Sequence, residues 1–509
     1  MDKSNQVIDL FIVGGGINGV GIARDAAGRG LNVALCEQGD LGSATSWTSS
    51  KLIHGGLRYL EHYEFRLVRE SLAEREILLR AAPHLIRPLR FVLPHVPTLR
   101  PAWMLRAGLF LYDHLSRRVT LPGSEALNLR QSPFGAGLRP EFRKGFAYSD
   151  CQVDDARLVI ANARSATALG AKVLVGTACI GAEVLDGLWQ VHLKSQESGA
   201  ANVIRARTLI NVAGPWASRV AASIKGVKPP QVTRLIKGSH IVVPRVHEGQ
   251  HAYLLQNDDR RQVFVIPFED DYSLIGTTEV ELHGDPGSVS ISADEIDYLC
   301  RAVNRYLVCP VKPEDVVWSY AGVRPLFGNG EADLSSITRD YELEFDTVDG
   351  AAPMVTVYGG KITTYRSLAE HVLTQLKPYF PNMQRAWTTL AYLPGGDFPD
   401  GDLDSFVRSL AKDRPKLALS LLTALARRYG TLCTEVLDGA TDIEAMGQHF
   451  GAGLYAREVE YLVEREWART AEDVLWRRTK TGLHMSPQQR TNLAEYFSRR
   501  PESMKARSI

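Results

Sequence analysis

Apolar residues follow three rhythms along this chain. Val7, Ile8, Leu10, Phe11, Ile12 and Val13 form a nearly unbroken run, the mark of a strand buried on both faces. Small residues at helical spacing follow (Gly21, Ala23, Ala26, Ala27) and predict a helix ending near Gly28 or Gly30. The stretch 31–35 predicts a second strand. Residues 66–81 predict a helix with Val68, Leu72 and Leu79 on one face, stopped by Pro83. Past Ala171 the pattern turns to strands: Val173-Leu174-Val175, an alternating Trp189-Gln190-Val191-His192-Leu193, and 208–212. From Ile241 to about Val317 short apolar strands recur (241–243, 263–266, 273–275) and predict an antiparallel sheet. A strand at 355–358 precedes a helix beginning near Thr363. Residues 393–402, rich in Gly, Pro and Asp, predict a linker, with helical spacing beyond it.

The first of these segments carries chemistry. Strand, Gly14-Gly15-Gly16-Ile17-Asn18-Gly19, helix, strand and Glu37 occur in the order of a dinucleotide-binding unit. Gly14 permits the tight turn, Gly16 lets the backbone approach a pyrophosphate, and Gly19 lets helix and strand pack closely. The helix N-terminus offers N–H groups and partial positive charge to phosphates. Glu37, about twenty residues on, is spaced to accept hydrogen bonds from an adenosine ribose. The motif alone does not choose between NAD and FAD.

Residues 42–50 hold Ser43, Thr45, Ser46, Thr48, Ser49 and Ser50, either a solvated loop or a set of donors to a phosphate or ring edge. Lys51, His54, Gly55, Gly56, Arg58 and Tyr59 come next, and the two adjacent glycines suggest backbone packed on a planar ligand. Ala213-Gly214 at a strand end and Gly359-Gly360 before a helix suggest further contacts with the dinucleotide.

Composition narrows the class. At 509 residues two or three domains are expected, and 45% apolar with 23% charged residues describes a soluble globular chain. A net charge of +1 argues against a nucleic-acid binder. The six cysteines lack a Cys-x-x-Cys pair, so neither a metal site nor a disulfide frame is expected. No signal peptide is read at the N-terminus, and no run of eighteen apolar residues suggests a spanning helix. The segment 84–120 stands apart. It holds Arg87, Arg90, Arg100, Arg106, Arg117 and Arg118 against one acid, Asp113, interleaved with Trp103, Met104, Leu105, Leu109, Phe110 and Leu111. A buried helix with solvated arginines and a surface that dips into a bilayer both fit.

The run 49–63 resembles the signature of the FAD-dependent glycerol-3-phosphate dehydrogenases, membrane-associated, quinone-reducing enzymes of glycerol catabolism. Four further stretches agree: Ile236-Lys237-Gly238-Ser239-His240, Ile275-Gly276-Thr277-Thr278-Glu279, Ala321-Gly322-Val323-Arg324-Pro325-Leu326, and the nine residues from Tyr358 through Gly359-Gly360-Lys361-Ile362-Thr363 to Arg366. The resemblance covers essentially the whole chain. It implies an α/β fold in which an FAD-binding Rossmann-like domain interleaves with an antiparallel-sheet substrate domain, plus an all-α C-terminal domain. The expected segments are 1–80, 151–230 and 351–392 for the FAD domain, 81–150 for a connecting and membrane-facing piece, 231–350 for the capping sheet and 393–509 for the helical domain.

The implied reaction is oxidation of sn-glycerol 3-phosphate to dihydroxyacetone phosphate, with FAD as hydride acceptor and ubiquinone as electron acceptor. The implied place is peripheral, on the cytoplasmic face of the inner membrane, and a homodimer is allowed. A buried phosphate dianion needs fixed cations, for which Arg58, Arg324 and Lys361 are candidates, with Tyr59 and His240 as donors. His54 is the favoured general base and His240 the second, since imidazole titrates near neutrality. Arg324 is also placed to stabilise a developing alkoxide. Expected cofactor contacts are Gly14, Gly15, Gly16, Asn18, Gly19, Glu37, Ser46, Ser50, Lys51, His54, Gly55, Gly56, Ala213, Gly214, Gly359, Gly360, Lys361 and Thr363. Rival readings are a peroxide-forming oxidase of glycerol phosphate or an amino acid on the same scaffold, a non-catalytic flavin sensor, and, least, an NAD-linked dehydrogenase.

Overall fold

The computed structural model describes residues 7–228, 233–259, 261–327, 340–348, 352–399 and 402–500. Its first strand, Ile8–Val13, lies in the middle of a sheet, paired in parallel with Val33–Glu37 on one side and Ala201–Asn211 on the other. Lys172–Val175 and Ala352–Tyr358 extend the parallel order outward, and Glu342–Val348 closes one edge antiparallel. Leu10 and Ile12 point to a core shared with the helices Ile17–Gly28, Asp155–Ala168 and Tyr365–Leu376. Phe11 and Val13 point to the opposite core, under the hairpin Thr177–Leu185/Leu188–Ser195. Both faces are covered, which is why the sequence shows a continuous apolar run instead of an alternation.

The second sheet is mainly antiparallel and ordered Val280–Glu281, Thr233–Pro244, Tyr272–Gly276, Gln262–Phe268, Ala252–Gln256, Ile86–Pro94, Lys144–Val153, Leu52–Ile53. Trp318–Phe327 pairs with Thr233–Pro244, and Glu125–Asn128 with Lys144–Val153. The capping sheet therefore draws on strands from 52 to 153, not on 231–350 alone. Conversely, Glu342–Val348 belongs to the nucleotide sheet. Ile86–Pro94 is hard to recognise in sequence because Arg87, Pro88 and Arg90 interrupt buried Ile86, Leu89, Phe91, Val92 and Leu93.

Within 84–120, the helix Ala102–His114 is not the buried one that its apolar content allows. Only Leu109 and Tyr112 are fully buried, while Trp103 is 73% and Phe110 60% exposed. The last domain packs helices around Leu422, Leu425, Val436, Leu462 and Val474. Among the described residues it is helical apart from one short hairpin, His449–Gly451 with Leu454–Tyr455.

Candidate active site

A cleft of about 600 Å³ runs from the glycine turn at the end of Ile8–Val13 to the underside of the second sheet. Several glycines around it are demanded by close approaches. A Cβ on Gly14, whose φ is +119°, would stand 2.5 Å from Val212 O, and one on Gly19 would overlap Gly14 O. Gly19 thus serves helix–strand packing, as its position in the motif predicts, and Gly14 and Gly16 leave the turn open to the cleft. Glu37 sits beside the turn and accepts 2.8 Å hydrogen bonds from Gly15 N and Gly39 N. Burial outweighs those donors and raises its carboxyl above the ordinary value. Ser46 Oγ accepts from Ile17 N at the helix start (3.0 Å), so this hydroxyl caps the helix that faces the cleft. Beside the same helix start, the left-handed Gly359 and Gly360 abut Asn18, whose Nδ2 donates to Gly359 O at 3.4 Å and whose Oδ1 is buried without a partner.

At the inner end, His54, Tyr59, His240, Arg324, Lys361 and Ser50 converge on the cavity. Register explains part of this. His240 faces Tyr320 across the strand pair, Gly238 faces Gly322, and Ile236 faces Arg324. Alternate positions of paired strands share a face, so the two opposed glycines hollow out the space between His240 and Arg324. A Cβ on Gly238 would stand 2.7 Å from Arg324 Nη2. Lys361 Nζ lies 3.7 Å from the Tyr59 ring centroid. Two cations thus enter one wall region.

The two imidazoles differ. His240 is stacked on Tyr320 (centroids 4.9 Å), its Nε2 is 2.9 Å from Ser50 Oγ, and its Nδ1 is enclosed without a partner. Burial, then Arg324 and Lys51, holds its pKa well below the ordinary 6.5. His54 is anchored through its backbone N–H to Thr363 Oγ1 (3.3 Å), and its half-buried ring borders the cavity, edge-on to Phe264. For His54, burial outweighs the pull of Asp150 and, with Lys361, Arg75 and Arg324, brings the pKa down to about 4. Both rings are neutral at physiological pH. Both border the cavity, but His54 is half-buried and His240 fully buried.

Some expected contacts lie elsewhere. Lys51 is fully buried away from the cleft, where its Nζ binds Asp155 Oδ1 and Trp47 O at 2.8 Å. A buried ammonium requires such a counterion, and this one draws Lys51 off the cofactor side. Gly55 and Gly56 do pack tightly, but on protein. Gly55 N donates to Tyr112 Oη (2.8 Å), its Cβ would meet Leu72 at 2.5 Å, and left-handed Gly56 lies under the Tyr59 ring. Arg58 faces Glu279 Oε2 at 3.9 Å and does not border the cavity. Gly15 turns toward Glu37 and Leu41 and serves the turn. Ala213, Gly214, Ser50 and Thr363 border the cleft.

Other cleft residues escaped the sequence. Gly238 and Gly322 are recognisable only once the strand register is known. Trp216, Arg219, Ser223, Cys179 and Ile180 also border the cleft, on the short helix 214–222 with its cap and on a hairpin, where side chains carry no spacing signal. The glycine turn, the helix start, the acid and the hydroxyl-rich 42–50 segment together fit an extended dinucleotide, and the cavity volume is that of a cofactor site.

Comparison with known proteins agrees. Residues 9–366 match the FAD dependent oxidoreductase family, and residues 386–497 match the C-terminal domain of alpha-glycerophosphate oxidase. A glycerol-3-phosphate dehydrogenase of Pseudomonas aeruginosa is 54% identical over 97% of this chain and 95% of its own length. An aerobic glycerol-3-phosphate dehydrogenase of Escherichia coli is 50% identical over 96% and 97%. A D-erythritol 1-phosphate dehydrogenase of Brucella abortus is 49% identical over 97% and 98%. Among solved structures, the glycerol-3-phosphate dehydrogenase of Bacillus halodurans complexed with FAD is similar, with a TM-score of 0.77, 27% identity, and coverage of 100% of this chain and 94% of that one.

Proposed function

The chain belongs to the FAD-dependent glycerol-3-phosphate dehydrogenase family, and on that premise we propose that it oxidises sn-glycerol 3-phosphate to dihydroxyacetone phosphate and delivers the electrons to a membrane quinone. The glycine turn, Glu37, the 42–50 segment and Gly359-Gly360 would hold FAD, which when bound would supply the hydride acceptor. The single observation that carries the substrate class is the convergence of Arg324 and Lys361 on the cavity that His54 borders. Two fixed cations suit a phosphate dianion better than the single carboxylate of an amino acid. Tyr59, under the Lys361 ammonium, helps fix that charge in place.

His54 takes the proton from the carbon-2 hydroxyl at an imidazole nitrogen, being neutral and the less buried of the two rings at the cavity. His240 has one nitrogen on Ser50 and the other enclosed, so it acts by holding Ser50 and the Tyr320 ring in place. Arg324, beside the hollow between Gly238 and Gly322, also stabilises negative charge on the substrate oxygen as that proton leaves.

The quinone acceptor and a peripheral place on the inner membrane are supported by the helix Ala102–His114. Trp103, Met104, Phe110 and Leu111 form an exposed stripe on one side, opposite buried Leu109 and Tyr112. Among the described residues no helix is long and apolar enough to cross a membrane. The similarity to a D-erythritol 1-phosphate dehydrogenase and to an oxidase C-terminal domain defines the competing substrate and acceptor. Steady-state turnover with each polyol phosphate, and with a short-chain quinone against oxygen, tests the proposal. Higher kcat/KM for glycerol 3-phosphate and for the quinone is expected. Preference for the four-carbon phosphate, or peroxide formed at the rate of turnover, contradicts it.

A further inference from the structure

One side of the cofactor cleft is made by the segment 38–50, which contains neither strand nor α-helix. Its backbone makes few bonds: Ser43 N donates to Asp40 O (3.1 Å), Gly42 N to Gly15 O (3.0 Å), and Gly39 O accepts from Gly176 N (3.1 Å). Side chains hold its later half, with Thr45 Oγ1 donating to Val323 O (2.6 Å), Ser49 Oγ to Asp155 Oδ2 (2.7 Å) and Tyr320 Oη to Ser49 O (2.8 Å), whereas its Asp40 end is gripped by the C-terminal domain. Arg478, fully buried, donates from Nη1 to Asp40 Oδ2 (2.8 Å) and from Nη2 to Asp40 Oδ1 (2.7 Å). Its Nη2 also donates to Glu466 O at 2.7 Å. Arg477 Nε donates to the same Asp40 carboxylate at 2.6 Å, and its guanidinium lies 5.7 Å from the Trp47 ring centroid. Trp47 in turn donates from Nε1 to Ser43 O (2.8 Å), inside the same segment. Asp473 completes the set, pairing with Arg477 and accepting from Arg469 N (2.8 Å) and Thr470 N (2.9 Å).

Buried ion pairs add little net stability over well-packed apolar residues, but they fix geometry, and a bidentate arginine fixes it most. A segment without secondary structure is the part of a fold that opens most readily. The guanidinium atoms that hold its Asp40 end come from residues more than four hundred positions away in the chain. None of Asp40, Arg477 and Arg478 borders the cavity that holds His54 and Arg324.

Resting on the flavin-dependent activity proposed above, we infer that the C-terminal domain is a clamp for cofactor retention: Arg477 and Arg478, through Asp40, are positioning residues that keep the 38–50 segment closed on FAD. The test uses the full chain carrying Arg477→Gln or Arg478→Lys. FAD release on dilution is followed by flavin fluorescence, and kcat and KM are measured at saturating FAD. Each variant should weaken FAD binding by about tenfold or more, the usual worth of a charge-assisted hydrogen bond. The share of thermal stability that FAD adds should shrink accordingly, with kcat and the KM for glycerol 3-phosphate within about twofold of the parent. Folded variants that hold FAD as tightly as the parent, or that lose kcat at saturating FAD, overturn the inference. If Arg478→Lys fails to fold, Arg477→Gln, whose guanidinium is nearer the surface, decides alone. A parent protein that holds no FAD would instead remove the activity on which the clamp rests.

Discussion

Of the two imidazoles at the inner end of the cleft, His54 is half-buried and His240 fully buried, and their roles follow from that. His54→Asn should leave FAD bound, since the backbone bond to Thr363 persists, while flavin reduction by glycerol 3-phosphate slows by about a hundredfold. Rapid-mixing measurement of that reduction checks it, and an unchanged rate removes His54 from the role of base. Buried histidines, His54 among them, also make the fold sensitive to acid. His54 and His251 have pKa values lowered to about 4, and His84 and His247 to about 3, in each case foremost by burial. Between 6.5 and those values the unfolded chain binds protons that the folded chain does not. Their contribution to stability is therefore complete above pH 6.5 and is lost progressively as pH falls toward 4. Thermal melting from pH 7.5 to 4.5 should show a steady fall in midpoint, and a midpoint that rises toward acid contradicts it.

Among elements, the nucleotide strand, its glycine turn and its helix were legible because each has a local cause: continuous apolar burial, a steric requirement at Gly14 and Gly19, and small residues against a sheet. The strand Ile86–Pro94 was not, because its two arginines and proline break the alternation and its pairing with Lys144–Val153 is set across fifty residues of chain. The same holds within the site. Arg324, Lys361 and His54 stood out by residue type beside glycines, whereas the diversion of Lys51 to Asp155 and of Arg58 toward Glu279 depends on partners that spacing cannot reveal. The helix Ala102–His114 was ambiguous for a related reason: its apolar residues fall on both sides, and only the fold shows which side is covered. Replacing Trp103 and Phe110 together by serine should leave turnover with a soluble acceptor unchanged and abolish sedimentation with anionic vesicles at low salt. Full retention on vesicles would show that this stripe is not the membrane contact.

At the scale of the whole molecule, two sheets meet around one cleft, and a helical domain backs one of its walls from outside. The parallel sheet offers the glycine turn and Glu37, the mainly antiparallel sheet offers His240 and Arg324, and the C-terminal domain grips the segment between them. The division has a physical logic. A dinucleotide is bound where parallel strands end and a helix begins, while a small anionic substrate needs cations on an opposing, rigid surface. The most direct test of this assembly is the visible spectrum of the purified protein under anaerobic conditions, before and after addition of sn-glycerol 3-phosphate. The protein should carry a flavin absorption band that bleaches on mixing. A colourless protein, or a flavin band that the substrate leaves untouched, would contradict the account.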